Sequence, residues 1–501
     1  MAIRELAAKG QSLTESIFIA RGAHPDRPIL DTGFGEVVID LDEFTARVAG
    51  RQVDLLDAGI TRSDRVLITP NRGVQFWIDV VSVWGLGAVA AGIDLRGPQR
   101  IVNAVLDILQ PKAAIVGVDG EAVVGDRAAI VDGAEARRES AEKLVIEPIG
   151  AEEPASIVFT SGSTGTPKGV VLSHHSLRGN ATGIMEHVPV KASDSLFIAL
   201  PSASMSALSH FLVSMFSGAT FKPCEDPLLK ADLFNAFEKS NATAFGGAPL
   251  QIRWLADAAK DRNLYLRWIM STGDHLPVDT IRRARETFPD ASVITVYGMT
   301  ELGGRFCVLP PDLIDTAAGS VGYPITGLNV SIVDESTLEP VVRTEIGEII
   351  ADGDLLFDGY LNAPEATAEA MTAVGMRTGD LGYQDENGML YLVGRRDDVF
   401  KSAGLKVSSI SISQVLLETG MFDDLAVIPL EHELAGHVPA VLFVPSGKQI
   451  FDRGQAMRHL RGKLAANHVP SRFFEVDEIQ RTATGKISRP WLKEMRQQFE
   501  A

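Results

Sequence analysis

Short apolar runs alternate with amphipathic stretches through the middle of the chain. Ser156–Thr160, Leu196–Leu200, Ala242–Phe245, Arg267–Ser271 and Ser292–Tyr297 read as strands. The segment after Ser173, Asp232–Lys239 and Val278–Phe288 read as helices. Strands alternating with helices predict a parallel sheet covered by helices. The beginning looks similar, with strand-like Val37–Leu41 and Arg65–Pro70 and a helical Val74–Trp84. After about residue 320 the pattern changes. Asn329–Val333, Gly347–Gly353 and Gly388–Gly394 are short strands joined by glycine-rich, acidic turns, which suits a small antiparallel subdomain. The stretch 394–404 is charged and turn-rich. Beyond it, Leu425–Glu431 and Ala440–Pro445 read as strands, and Arg453–Ala466 and Ser488–Gln498 as helices. The fold class is therefore α/β. A large N-terminal domain (1–396) of parallel βα sheets carries a small antiparallel β subdomain. A small α+β C-terminal domain (397–501) follows.

Charge supports that division. The whole chain of 501 residues carries a net charge of −18, but residues 397–501 hold 13 Lys+Arg and 13 Asp+Glu. All the excess acid lies in the large domain. So acidic a chain is not a general nucleic-acid binder, which needs a basic face. Cys224 and Cys307 form neither a disulfide framework nor a metal spacing. The first residues lack the apolar core of a secretory signal. The longest apolar stretch, Val80–Ile93, is about 14 residues against the ~20 that span a bilayer. These features predict a cytoplasmic protein without a membrane span.

The sharpest chemical signal is Thr160-Ser161-Gly162-Ser163-Thr164-Gly165-Thr166-Pro167-Lys168-Gly169, directly after a predicted strand. Glycines let backbone N–H groups converge on a ligand, hydroxyls add donors and Lys168 adds a charge, a composition for holding an anion. It is not a Walker A loop, because Pro167 precedes the lysine and Gly169, not Ser or Thr, follows it. A flexible Ser/Gly linker is the bland alternative, and linkers rarely end in Pro-Lys-Gly.

This decamer resembles the signature of the acyl-adenylate-forming superfamily, which holds acyl- and aryl-CoA ligases, peptide-synthetase adenylation domains and luciferases. The family's other motifs recur in order. Tyr297-Gly298-Met299-Thr300-Glu301, Arg377-Thr378-Gly379-Asp380-Leu381, Gly394-Arg395-Arg396-Asp397-Asp398-Val399-Phe400-Lys401 and Thr482-Ala483-Thr484-Gly485-Lys486-Ile487 are similar to YGxTE, RTGDL, GRxDDxxK and TxTGKI. Gly87–Ala91, Ser271–Pro277 and Gly347–Ile349 are weaker matches.

The resemblance implies ATP-dependent conversion of a carboxylic acid to an acyl-adenylate, then thioester formation, with domain alternation between the two steps. ATP, Mg²⁺ and CoA (or a carrier-protein phosphopantetheine) are the implied cofactors. By the same resemblance Thr160, Ser161, Gly162, Ser163, Thr164, Gly165 and Lys168 hold the β- and γ-phosphates. Glu301 ligates Mg²⁺, and Thr300, with Gly298 and Met299 beside it, reaches the α-phosphate. Tyr297 and the Gly273-Asp274-His275 turn flank the adenine. Asp380 takes the ribose hydroxyls with Arg395 nearby. Lys486 bridges the acid and the α-phosphate. Asp397 is the hinge, and the Gly404 loop shapes the thiol channel. Each of these types is commonplace on surfaces and in turns, so the ordered set of motifs carries the assignment.

Two stretches depart from the family pattern. Where acyl-CoA ligases carry P-x-x-H-x-x-G, this chain reads Pro201-Ser202-Ala203-Ser204-Met205-Ser206, with Ser204 at the His position. No acidic residue occurs between Asp194 and Glu225, which disfavours a free α-amino acid. Ala203, Ser204 and Met205 facing Phe245, Gly246 and Ser271 would leave room for a bulky apolar acid. Ser204 could equally be a spacer in a core segment. After the hinge, Ser408–Ser413 replaces the usual Ser…Glu capping box with Ser…Ser, which bears on the thiol acceptor. A ligase loading a carrier protein would want a basic patch, which His459, Arg461, Lys463, His468 and Arg472 could form. A non-catalytic nucleotide-binding regulator is the reading from another class. Lys168, Glu301, Asp380 and Lys486 speak against it. Homodimer formation stays open.

Overall fold

The computed structural model describes residues 12–32, 37–70, 73–134, 143–161, 167–224, 230–260, 262, 264–317, 319–396, 399–402, 405–447, 449–481 and 487–500. The hydrophobic runs build two sheets in the large domain. The first has seven strands, ordered 359–360, β2 (Pro167–Ser173), β1 (Pro154–Ser161), 89–92, 65–68, 113–116 and 129–132. Its N-terminal strands are parallel, but β1 and β2 form an antiparallel hairpin, with Thr160 opposite Lys168 and Ser161 opposite Pro167. This corrects the reading of 156–300 as one βα alternation. The phosphate-loop sequence joins two strands of a hairpin, not a strand to a helix. Val170 and Leu172 are fully buried and give β2 its core face. Only then does helix α1 (His174–Met185) begin, capped by Ser173.

The second sheet has fourteen strands. Its parallel half contains β3 (Ser195–Ile198), helix α2 (Met205–Ser217), β4 (Thr220–Pro223), β5 (Ala244–Gly247), β6 (Trp268–Ser271) and β7 (Ser292–Tyr297), with strand order β4-β3-β5-β6-β7. At β7 the pattern turns antiparallel. β8 (Cys307–Leu309), Ser320–Pro324, β9 (Gly375–Gln384), β10 (Leu390–Arg395), Gly347–Gly353 and Leu328–Val333 continue the same sheet. The expected antiparallel subdomain is thus an extension of the parallel sheet.

Helix Val74–Gly85 is buried along its whole length, as its all-round hydrophobicity requires. It packs on strands of the first sheet. Trp77 stacks on Phe211 of α2 at 4.6 Å and meets Phe221 of β4 edge-on at 5.0 Å, which ties the two layers together. Deleting such a ring costs about 3–5 kcal/mol. Its one carboxylate, Asp79, accepts from Arg51 Nε at 2.9 Å and Gln75 Nε2 at 2.8 Å, so the burial is paired.

From Val399 onward the chain makes a separate five-stranded sheet with its own cores, one around Val407, Leu416, Phe422 and Phe443, the other around Ile428, Leu442 and Trp491. The stretch expected to be turn-rich contains strand Val399–Ser402. The helix expected over 453–466 stops at Arg461. Helix α3 (Ser409–Leu417) starts as read, with Ser408 Oγ accepting from Ser411 N at 3.1 Å and donating to Val393 O.

Candidate active site

The described residues of the YGMTE, RTGDL and phosphate-loop motifs lie where the strands of the second sheet end and the β1–β2 hairpin closes. Gly162, Ser163, Thr164 and Gly165 lie outside the described residues, as do Asp397, Gly404 and Lys486. Thr160 and Ser161 end β1, and Lys168 begins β2 directly opposite Thr160. Lys168 Nζ sits 4.7 Å from the centre of the Tyr360 ring, a cation–π contact. The Tyr360 hydroxyl donates to Glu301 Oε1 at 2.8 Å. Burial and the Glu301 charge push the Tyr360 phenol well above its ordinary value, so it stays a donor. One side chain thereby bridges the phosphate-loop lysine and the candidate metal carboxylate.

Glu301 is held there by its loop. β7 ends at Tyr297, and a side chain at Gly298 would strike Gly304 O at 2.2 Å. Only glycine lets the chain fold back so closely. Thr300–Leu302 form one 3₁₀ turn. Asn180 of α1 donates through Nδ2 to both Leu302 O and Arg305 O at 2.6 Å, which pins the loop.

A second cluster adjoins it. Asp380 and Arg395 are cross-strand partners in the β9–β10 hairpin, with Arg395 Nε 3.3 Å from Asp380 Oδ1. The Tyr297 hydroxyl donates to Asp380 Oδ2 at 2.5 Å. Burial, with the Asp380 charge second, pushes Tyr297 well above its ordinary value, so it too remains protonated. A carboxylate offers about four acceptor positions, so one Asp side chain can serve several donors at once. The Arg395 charge also reaches Tyr360, which places the two clusters side by side. Behind them Arg377 Nε donates to buried Glu348 Oε2 at 3.0 Å, joining the RTGDL and GEI matches.

Gly273 adopts a φ of +93°, and Asp274 Oδ1 accepts from His275 N at 2.8 Å, an ordinary turn bond, with the carboxylate exposed. The Asp274 charge reaches Arg481, which is paired with Asp424 at 2.8 Å. Arg481 and Ile487, which flank the Lys486 segment, face each other in an antiparallel bridge. The small domain thus meets the large one beside the predicted adenine turn. Arg253 Nη1 makes a further link, donating to Asp423 O at 3.0 Å.

The predicted acyl wall is only partly assembled. Ser204 caps α2, its Oγ accepting from Ala207 N at 3.2 Å, so the hydroxyl has a structural use. Ala203 packs where a side chain at Gly92 would stand. Met205 lies against Gly304. Phe245 belongs to a core cluster with Phe197 and Phe237 and does not share a wall with Gly246, because successive residues of β5 face opposite sides of the sheet. Gly246 faces His210 of α2. Ser271 Oγ is buried. Sequence reasoning missed Tyr360, Asn180, His210 and Arg305. The signals were an aromatic in Asp358-Gly359-Tyr360-Leu361-Asn362, and a lone cation inside the apolar Gly303–Leu309 stretch.

The chain matches the family model of the AMP-binding enzymes over residues 21–361, and that of the AMP-binding enzyme C-terminal domain over residues 411–486. The chain belongs to the AMP-binding enzyme family. Among its relatives, the 2-succinylbenzoate–CoA ligase of Bacillus cereus (strain Q1) is 27% identical over 478 residues, covering 94% of this chain and 96% of the relative. ATP-bound MatB of Rhodopseudomonas palustris superposes with a TM-score of 0.86 at 23% identity, covering 97% of this chain and 99% of the other. The o-succinylbenzoate CoA synthetase of Bacillus subtilis, in complex with its acyl-adenylate intermediate, gives 0.82 at 23% identity, covering 95% and 98%. This AMP-binding enzyme is an AMP-forming acid–thiol ligase of the acyl-CoA synthetase type, within the superfamily that the motifs resemble. Among the described residues no helix is long and apolar enough to cross a membrane.

Proposed function

We propose that the enzyme joins a carboxylic acid to CoA through an acyl-adenylate. The acid's carboxylate oxygen attacks the α-phosphorus of ATP, and the bond to the β-phosphate oxygen breaks as pyrophosphate leaves. The CoA sulfur then attacks the acyl carbon, AMP departs and the thiol proton passes to solvent. The observation that carries this reading is the adjacency of the Lys168–Tyr360–Glu301 and Tyr297–Asp380–Arg395 clusters at the strand ends, where open α/β sheets take ligands. Lys168 and the hairpin loop neutralise the outer phosphates. Asp380 accepts from the ribose. Thr300 donates towards the α-phosphate, and Lys486 offsets charge growing on the reacting oxygens.

Among the described residues no three His, Cys, Asp or Glu side chains are grouped to hold a metal. Glu301 stands as a single buried carboxylate beside the phosphate hairpin, and that suits Mg²⁺, which is commonly held by one or two carboxylates plus substrate phosphates. When bound it would supply positive charge to the phosphates.

CoA, rather than a carrier protein, is favoured by the state of the basic patch. Glu418 pairs with Lys463 and with His459 Nε2 at 2.9 Å, which neutralises its centre. Division of the chain at Asp397 and rotation there between the two half-reactions belong to the same reading. The CoA ligase relatives support CoA as acceptor, and 2-succinylbenzoate is the first acid to try. The test is a carboxylic-acid panel scored by acid-dependent pyrophosphate release, repeated with CoA and with a holo carrier protein. Lys486→Ala should lower release by about three orders of magnitude. Near-wild-type adenylation by that variant would overturn the assignment of Lys486.

A further inference from the structure

Among the described residues, Arg305 is a buried cation that pairs with no anion. It follows the Glu301 loop, is 1% exposed, and points beneath the ends of β5 and β6. Its Nη2 lies 3.0 Å from His210 Nδ1 and 3.6 Å from Met270 Sδ, while Nε and Nη1 have no partner among the described residues. His210 Nδ1 also lies 2.7 Å from Ser206 O. One ring nitrogen cannot both accept from Arg305 and donate to Ser206 O. His210 Nε2 is likewise buried and unpartnered. Burial pulls the guanidinium down to about 9. A side chain at Gly246 would meet His210 Nε2 at 2.6 Å, so the glycine leaves the volume that the imidazole occupies. An uncompensated buried charge is costly, and a guanidinium is shaped for bidentate recognition of a carboxylate.

We propose that the acid this enzyme activates carries a second carboxylate at its far end, and that Arg305, with His210 beside it, receives that group. Arg305 directly follows the Thr300–Gly304 loop that carries Glu301, and Asn180 bonds to both Leu302 O and Arg305 O, so the proposed subsite would hold one carboxylate while the other reacts. The apolar acid expected from Ala203–Ser206 does not suit a subsite that ends in a buried guanidinium. The inference rests on the adenylation reading and adds to it the substrate class and its recognition residue.

The experiment pairs dicarboxylic acids (malonate to adipate, and 2-succinylbenzoate) with half-esters blocked at the distal carboxylate. Binding is followed by calorimetry and turnover by pyrophosphate release. Wild type should bind and use diacids over half-esters, and Arg305→Met should reduce that preference about 100-fold. Arg305→Lys, which keeps the charge but loses the fork, should fall between, and thermal melts confirm folding. Half-esters or simple monoacids used as well as diacids by wild type would overturn the inference. So would a diacid preference that survives in Arg305→Met. Arg305-dependent diacid binding without pyrophosphate release from any acid would sustain the inference and overturn the adenylation reading instead.

Discussion

Tyr360 holds two groups at once, its ring against Lys168 and its hydroxyl on Glu301. Tyr360→Phe keeps the first contact and removes the second. Pyrophosphate release should fall about 10-fold in kcat, with global stability changed by no more than about 1 kcal/mol, as urea midpoints would show. His174 gives a pH test at the same scale. Its Nδ1 accepts from Leu13 N at 3.2 Å, and burial lowers its value from 6.5 to about 3. The unfolded chain therefore binds a proton that the folded chain refuses. The stabilisation is full above pH 6.5 and is lost, at about 1.4 kcal/mol per pH unit, as pH falls towards 3. His174→Asn keeps an acceptor for Leu13 and should flatten urea stability between pH 6.5 and 4. At this scale motif order singled out Glu301, Asp380 and Lys168, and the fold sets Glu301 and Lys168 on Tyr360 and Asp380 on Tyr297. The sequence was silent on Tyr360 and Arg305, whose importance comes from partners 59 and 95 residues away.

Among elements, those with a clear period were legible. The strand over Ser292–Tyr297 and the helix from Val278 were read within a residue. What periodicity cannot tell is a strand's partner. β1 reads the same whether it leads into a helix or a hairpin, and its true neighbours are β2 and residues 89–92. The β5 error has the same physical root, since alternation sends Phe245 to the core and Gly246 to His210. The α3 cap offers a test. Ser408 both caps the helix and donates to Val393 O, so Ser408→Ala should cost about 1–2 kcal/mol. Ser411→Glu, which restores the reciprocal half of the capping box, should return about 0.5–1 kcal/mol in urea denaturation.

For the whole molecule, the charge break at residue 397 anticipated a second body, and the separate sheet beginning at Val399 agrees with it. The sequence held no information on how the bodies meet, because Arg253–Asp423 and Asp274–Arg481 join residues more than 160 apart. Under the proposed rotation these contacts belong to one of two arrangements. Asp397→Pro, which fixes φ at the pivot, should spare adenylation and slow thioester formation by at least about 10-fold, measured as single-turnover transfer from preformed acyl-adenylate.

Arg395 closes the last strand before that pivot, two residues short of it, and stands opposite Asp380. A swing of the small domain would pull first on this pairing. Under the proposed reading, in which Asp380 takes the ribose, the nucleotide's sugar would be gripped at the base of the lever arm, where a large rotation gives a small displacement with high mechanical advantage. Discharge of spent AMP and the recoil of the small domain then become a single stroke, and an enzyme with a softened Arg395 grip would lose its timing before it lost its chemistry.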